Sequence, residues 1–206
     1  MELGPIVEPI RSTNDAFQIL MVCTANICRS PAAERLLALE LSRRDLSEDL
    51  NVKIGSAGVR GWDAKPMDPE AAAALERRGG TSRGFASRAL TEKIVKSASL
   101  ILTATREHRS ELLESYPQAL RRTFTMKEFA HLSSLPSMSD AVRESGLLSA
   151  SDLVDSAYRH RGGATINNAD VADPYGSTST AHDRAVAEIH AAVRQVAIAL
   201  ATCTHA

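Results

Sequence analysis

Ile19-Leu20-Met21-Val22-Cys23-Thr24-Ala25-Asn26-Ile27-Cys28-Arg29-Ser30-Pro31 is the stretch on which the rest of the chain is organised. Ile19 to Val22 form an unbroken apolar run, as expected of a parallel strand buried on both faces. A short polar loop follows. Ser30 then has the chemistry of an N-cap and Pro31 that of a first helical residue. Strand, loop and helix in this order gather backbone N–H groups and a helix N-terminus into an anion site, usually a phosphate site. Cys23 opens the loop and Arg29 closes it six positions later. A guanidinium is a planar, permanently charged fork that matches two phosphate oxygens. Inward-pointing N–H groups, a helix N-terminus and an arginine are surroundings that favour a thiolate. A thiolate beneath a bound phosphate is a nucleophile aimed at phosphorus.

Outward from this stretch, strands and helices alternate. Gln18 to Val22 is the first strand and Pro31 to about Arg44 the first helix, with Leu36, Leu37 and Leu41 facing inward. Asn51 to Gly55 reads as the second strand, and Ser56-Ala57-Gly58 as a tight turn out of it. Asp68-Pro69 caps a helix that Gly79-Gly80 stops. Thr91 caps a short helix, and Ser99 to Thr103 is a third buried strand. Arg106 to Ser115 is helical, ended by Tyr116-Pro117. Arg122 to Thr125 is a fourth strand, Lys127 to Leu132 a helical turn. The last helix runs from about Thr180 to Ala201 on the stripe Val186, Ile189, Val193, Val196 and Leu200. Such alternation predicts an α/β fold, a doubly wound four-stranded parallel sheet with helices on both faces. Ligands on such sheets bind at the carboxyl ends of the strands, where the Cys23 loop lies. Residues 1–17 read as an irregular lead-in to a single domain, 18–206. Its variable insert, at about 133–168, contains a possible helix from Ser149 to His160.

Composition narrows the class. The chain has 206 residues, 44% hydrophobic and 24% charged, with a formal net charge of −1. That is ordinary for a globular protein, and nothing global points to nucleic acid or an acidic membrane. Aromatic residues are only 4%, so the core must be aliphatic. Met1 to Phe17 shows no basic-then-apolar leader pattern, and no apolar run reaches membrane-spanning length. Three cysteines do not make a disulfide framework, which points to a reducing cytoplasm.

The full string Val-Cys-x-x-Asn-x-Cys-Arg-Ser-Pro, after a strand and before a helix, resembles the active-site loop of the low-molecular-weight protein tyrosine phosphatases. The resemblance spans about residues 18–130 and 170–202. It implies the phosphatase I-like fold and a phosphocysteine mechanism without metal or organic cofactor. Asp173, in Asp170-Val171-Ala172-Asp173-Pro174-Tyr175-Gly176, matches the family's general acid, although Asp before Pro also simply shapes turns. The residues of the loop, Thr24, Ala25, Asn26, Ile27, Cys28 and Ser30, would surround the phosphate, with Trp62 and Tyr175 forming a slot for an aryl group. Asn26 and Ser30 match positions that hold the loop's shape. Ser56 matches a supporting serine, and an ordinary turn serine fits it equally. Cys28 matches a residue that forms a reversible disulfide with the nucleophile; a small buried side chain is the alternative. No second Cys or His pair at ligand spacing accompanies it, which speaks against a two-cysteine metal site.

Some positions depart from the pattern. Ala25 stands where the family commonly has glycine, a strain if that position needs positive φ. Phe85 stands where better-known members have histidine, and Thr105 where many have aspartate. None of the histidines has a catalytic pattern, and His108 reads as part of a solvated helix face. The expected activity is hydrolysis of phosphotyrosine in proteins, or of small aryl phosphates, with release of inorganic phosphate. Two alternatives are weighed. An arsenate reductase of the same fold needs a relay of further cysteines, and 81–99 has none. A non-catalytic phosphotyrosine reader needs neither thiol nor acid. A nucleotide-binding Gly-x-x-x-x-Gly-Lys loop does not occur.

Overall fold

The computed structural model describes residues 16–44, 46, 51–135, 149–163 and 166–203. Residues 1–15 of the lead-in expected over 1–17, and much of the 133–168 insert, lie outside them, and Phe17 already belongs to the first strand. Four strands, β1 (Phe17–Cys23), β2 (Val52–Gly58), β3 (Leu100–Thr103) and β4 (Thr123–Thr125), form a parallel sheet in the order β2-β1-β3-β4. The described helices are α1 (Arg29–Ser42), α2 (Pro69–Glu76), α3 (Glu92–Ser97), α4 (Arg106–Ser115), α5 (Met126–Ser133), α6 (Ala150–His160) and α7 (Ser179–Leu200). The chain leaves β1 on one side for β2 and later enters β3 on the other. A crevice therefore opens at the carboxyl end of β1, where Cys23 sits.

Both faces of the sheet are covered. Ile19, Met21 and Cys23 of β1 pack with Leu36, Leu37, Val186 and Ile189 on one face. Leu20 and Val22 pack with Val95, Ile101 and Leu112 on the other. This two-residue alternation explains why an all-apolar run is required at a central parallel strand.

Several expectations need correction at element ends. Ser56, Ala57 and Gly58 continue β2 rather than turn out of it, because they pair with Met21, Val22 and Cys23. Ser30 is not the cap of α1. Cys28 takes that position without a side-chain bond, and the Ser30 hydroxyl is directed into the loop instead. Pro31 remains in the first turn, where a missing N–H costs nothing. The second helix is capped as read, Asp68 accepting from Glu70 and Ala71 N–H at 3.0 Å each, but it ends at Glu76. Gly79 then takes φ +84°, the left-handed turn that glycine supplies most readily. Lys127 to Leu132 belongs to a full helix with a Thr125/Glu128 capping box, and Ser149 caps α6 in the same way.

One buried charge ties α1 to α7. Glu40 accepts from Arg44 Nη1 at 2.6 Å and lies 3.0 Å from His190 Nε2. Burial alone would raise its carboxyl pKa. The hydrogen bonds from His190 and Arg44 outweigh that and hold it down at about 2. A depressed carboxylate stabilises the fold above its unfolded pKa and loses that contribution as pH falls through the folded value. The stability attributable to Glu40 should therefore be intact above about pH 4.5 and decline toward pH 2. Urea unfolding across this range should show a shallower acid limb in Glu40→Gln than in the wild type. Equal slopes would contradict the assignment.

Candidate active site

The loop after β1 is shaped from outside by its own carbonyls. Those of Cys23, Thr24, Ala25 and Ile27 accept from the backbone N–H groups of Val59, Arg60, Trp62 and Asp68, at 2.9, 3.0, 3.4 and 2.9 Å. The N–H and C=O of a trans peptide point in opposite directions. The N–H groups of Thr24, Ala25, Asn26 and Cys28 therefore face the inner side of the loop, making an anion-binding nest. Gly58 permits this close docking. A Cβ there would run into the Thr24 carbonyl and come within 2.9 Å of the Ala25 carbonyl carbon.

Asn26 holds the loop from within. Its backbone takes φ +59°, a left-handed conformation that asparagine tolerates better than most residues. Its side chain donates to Ser30 Oγ at 2.9 Å and to Ser56 Oγ at 2.8 Å, and accepts from Arg88 N–H at 2.9 Å. Ser56 in turn donates to Glu34 at 2.6 Å. Ser30 Oγ lies 3.0 Å from Cys23 Sγ, and the thiol is buried. Ala25 does not adopt positive φ, so alanine in place of glycine causes no strain there. Phe85 takes no part in this network. It lies under the Arg35 guanidinium, 5.9 Å from ring centroid to Cζ.

Arg29 is buried, and its fork spans the site. Nη2 donates to Asp173 Oδ2 at 2.6 Å and to Thr24 Oγ1 at 3.1 Å, and Nη1 to the Val171 carbonyl at 3.3 Å. The Asp170–Gly176 loop is anchored by Val171 N–H to the Ala104 carbonyl just past β3, and by Asp170 to the Arg106 backbone. Cys23, Arg29 and Asp173 thus meet at the carboxyl end of the sheet. Arg29 Nε is buried without a hydrogen-bond partner among the described residues. A buried N–H of this kind costs about 1–3 kcal/mol unless a ligand oxygen satisfies it. Trp62 and Tyr175 stand at the mouth, 47% and 57% exposed, with rings edge to face at 6.3 Å.

His108 does not lie on a solvated helix face, as its sequence neighbours suggest, but in the site. It is only 5% exposed. Its Nε2 lies 2.8 Å from Thr24 Oγ1, and its Nδ1 lies 2.6 Å from Thr105 Oγ1. Thr105 both caps α4 and orients this imidazole. Thr24 thereby links His108 to Arg29. Burial, followed by the nearby Arg29 charge, lowers the imidazole pKa to about 4. The ring is then neutral throughout the physiological range and adds no second cation beside Arg29. A histidine with a lowered pKa also costs stability as pH falls from its unfolded value through the folded one, because the unfolded chain binds the proton first. NMR titration should place His108 near pH 4. The activity profile between about pH 5 and 8 should contain no limb removed by His108→Gln. A midpoint near 6.5 would overturn this description.

Gly58→Ala should disrupt the loop more than the sheet. Phosphate affinity should fall at least about tenfold, while far-ultraviolet circular dichroism stays close to that of the wild type.

Comparisons agree with this geometry. The family model described as low molecular weight phosphotyrosine protein phosphatase matches residues 18–145. Low molecular weight protein-tyrosine-phosphatase Etp of Escherichia coli is 35% identical over 118 residues, which is 57% of this chain and 74% of that relative. A protein-arginine-phosphatase of Bacillus subtilis is also 35% identical, over 111 residues, 54% of this chain and 71% of its own length. Among solved structures, the YwlE arginine phosphatase from Geobacillus stearothermophilus superimposes with a TM-score of 0.66 at 25% identity, over 90% of this chain and 94% of that one. A family match over more than half of the sequence, on a fold that forms the loop the family requires, places the chain in the low molecular weight phosphotyrosine protein phosphatase family, hydrolases of phosphoric monoesters.

Proposed function

We propose that Cys23 attacks the phosphorus of a phosphotyrosine or small aryl phosphate, forming a phosphocysteine, and that Arg29 and the inward N–H groups of residues 24–29 bind the equatorial oxygens. The observation that carries this reading is Arg29. A buried guanidinium faces the loop that Cys23 opens, with one N–H unsatisfied and another on the Asp173 carboxylate. Both are positions a phosphate dianion would take. Phosphate on the fork releases Asp173 from its ion pair and brings a like charge beside it. Asp173 then donates its proton to the leaving phenolate and accepts one from the water that hydrolyses the intermediate. Serine at 30, held by Asn26, supports the thiolate through its 3.0 Å contact. The route needs neither a metal nor an organic cofactor.

The slot supports an aryl substrate. Ile27 is apolar and nearly buried in the loop, and Trp62 and Tyr175 offer ring faces and edges at the entrance. Edge-to-face packing of a third ring is worth about 0.5–1.5 kcal/mol beyond its buried area. Phosphoarginine is the competing substrate, because the Bacillus relative is named for it. An arsenate reductase relay has little support. The remaining cysteine, Cys203, is buried beyond the end of α7 with its thiol toward the Ala199 carbonyl at 3.6 Å. A cytoplasmic setting is part of this proposal. Among the described residues, no helix is long and apolar enough to cross a membrane.

Turnover of p-nitrophenyl phosphate by the reduced protein with a chelator present should vanish in Cys23→Ser while phosphate binding persists. Retained turnover would exclude the mechanism. Arg29→Lys should lose about 10²–10³-fold, since a point charge cannot replace the fork. Asp173→Ala should lose about 10²–10⁴-fold with poor leaving groups and less with good ones. Uniform loss would remove Asp173 from the acid role. Phosphotyrosine peptides should be hydrolysed faster than phosphoarginine peptides, and the reverse order would reassign the substrate.

A further inference from the structure

Behind the loop, three helix N-termini bring together side chains that the proposed reaction does not use as reacting groups. Cys28 is the N-cap of α1, Asp68 the N-cap of α2, and His182 lies in the first turn of α7. One ligand atom from each, a sulfur, a carboxylate oxygen and a ring nitrogen, fall within 4.8 Å of one another. His182 is 1% exposed, and its Nδ1 is buried without a hydrogen-bond partner among the described residues. The nearest acceptor, Asp68 Oδ1, is 3.6 Å away, too far for a hydrogen bond, and already accepts two backbone N–H groups. An unsatisfied buried ring nitrogen beside a carboxylate and a thiol calls for a partner that accepts lone pairs.

We propose that Cys28, Asp68 and His182 bind a divalent cation of the zinc class. Thiolate, imidazole and carboxylate are the donors that zinc takes, at about 2.0–2.3 Å, and three protein ligands leave a fourth position open. Tetrahedral bonds of that length set donors about 3.5 Å apart. Closing the site from 4.8 Å therefore needs side-chain movements of about 1 Å, and the His182–Asp68 pair is already at 3.6 Å. Burial and the neighbouring Asp68 charge push the Cys28 thiol pKa up, so without a cation this sulfur stays protonated. Metal binding replaces that proton. The S–H bond breaks, a sulfur–metal bond forms and the proton leaves to solvent. The three ligands lie 40 and 114 positions apart along the chain, which is why no spacing motif announces the site.

The test uses the reduced, full-length protein. Zinc is titrated in competition with a chromophoric chelator, and cobalt(II) is added separately to reveal a thiolate-to-metal charge-transfer band. Wild type and Cys23→Ser should each bind a single ion with equal affinity and show the band. Cys28→Ala should lose the band. His182→Gln should weaken binding at least about tenfold, since even the loss of an outer partner of a metal ligand costs 10–100-fold. Asp68→Asn retains helix-capping chemistry, so weaker zinc binding with an unchanged metal-free melting temperature would report the ligand role alone. Binding that survives His182→Gln unchanged, or that disappears in Cys23→Ser, would place the metal on the reactive thiol and overturn the proposal. Absence of binding by the wild type would do the same.

Discussion

The side chain of Asn26 is the constraint on which the site depends. Its backbone stands in the left-handed region, and its amide bonds to Ser30, Ser56 and the Arg88 backbone. Those partners come from α1, from β2 and from the segment before α3, so one side chain fixes the loop against three parts of the fold. With the loop in that shape its carbonyls turn out onto 59–68 and its N–H groups turn in. An inward ring of N–H dipoles costs no reorganisation when negative charge arrives, which is the basis of electrostatic stabilisation in phosphoryl transfer.

The sheet explains why such a loop can be rigid. β1 is flanked on both sides and buried on both faces, so its carboxyl end is among the least mobile points of the molecule. Asp173 is positioned differently. It sits on a half-exposed loop tied to the end of β3 through Val171 and to Arg29 through its carboxylate. In the proposed mechanism a rigid anion cradle faces a more exposed acid, which exchanges the guanidinium for the leaving-group oxygen during turnover. His108 adds a neutral hydrogen-bonding group beneath Thr24, orienting a loop hydroxyl without competing with Arg29 for the phosphate charge.

Much of this was legible in the sequence, for a physical reason. The apolar run before Cys23, the N-cap residues and the Asp-Pro turn are local signals, and the fold realises them with end shifts of a few residues. Ser56 is the instructive case. Its residue type suggested a turn, but pairing of 56–58 with Met21 to Cys23 extended the strand, and the same residue then met Asn26. His108 was not legible. Arg106-Glu107-His108-Arg109 looks like a solvated face, and only contact with Thr24, 84 residues away, buries the ring. The Cys28, Asp68 and His182 cluster was hidden for the same reason, since three helix starts converge only in the folded chain. Ala25 is the reverse case: the strain it would carry at a positive φ does not arise, because the left-handed position belongs to Asn26.

The most direct test of the account is to trap the covalent intermediate. Asp173→Ala, mixed with p-nitrophenyl phosphate and quenched in alkaline denaturant within the first turnover, would be digested and analysed by mass spectrometry. A phosphocysteine mechanism predicts a single phosphoryl group on the peptide carrying Cys23, and none when Cys23 is alanine under the same quench. A phosphoryl group on another residue, or phosphate release without any labelled peptide, would contradict a phosphocysteine mechanism at this loop.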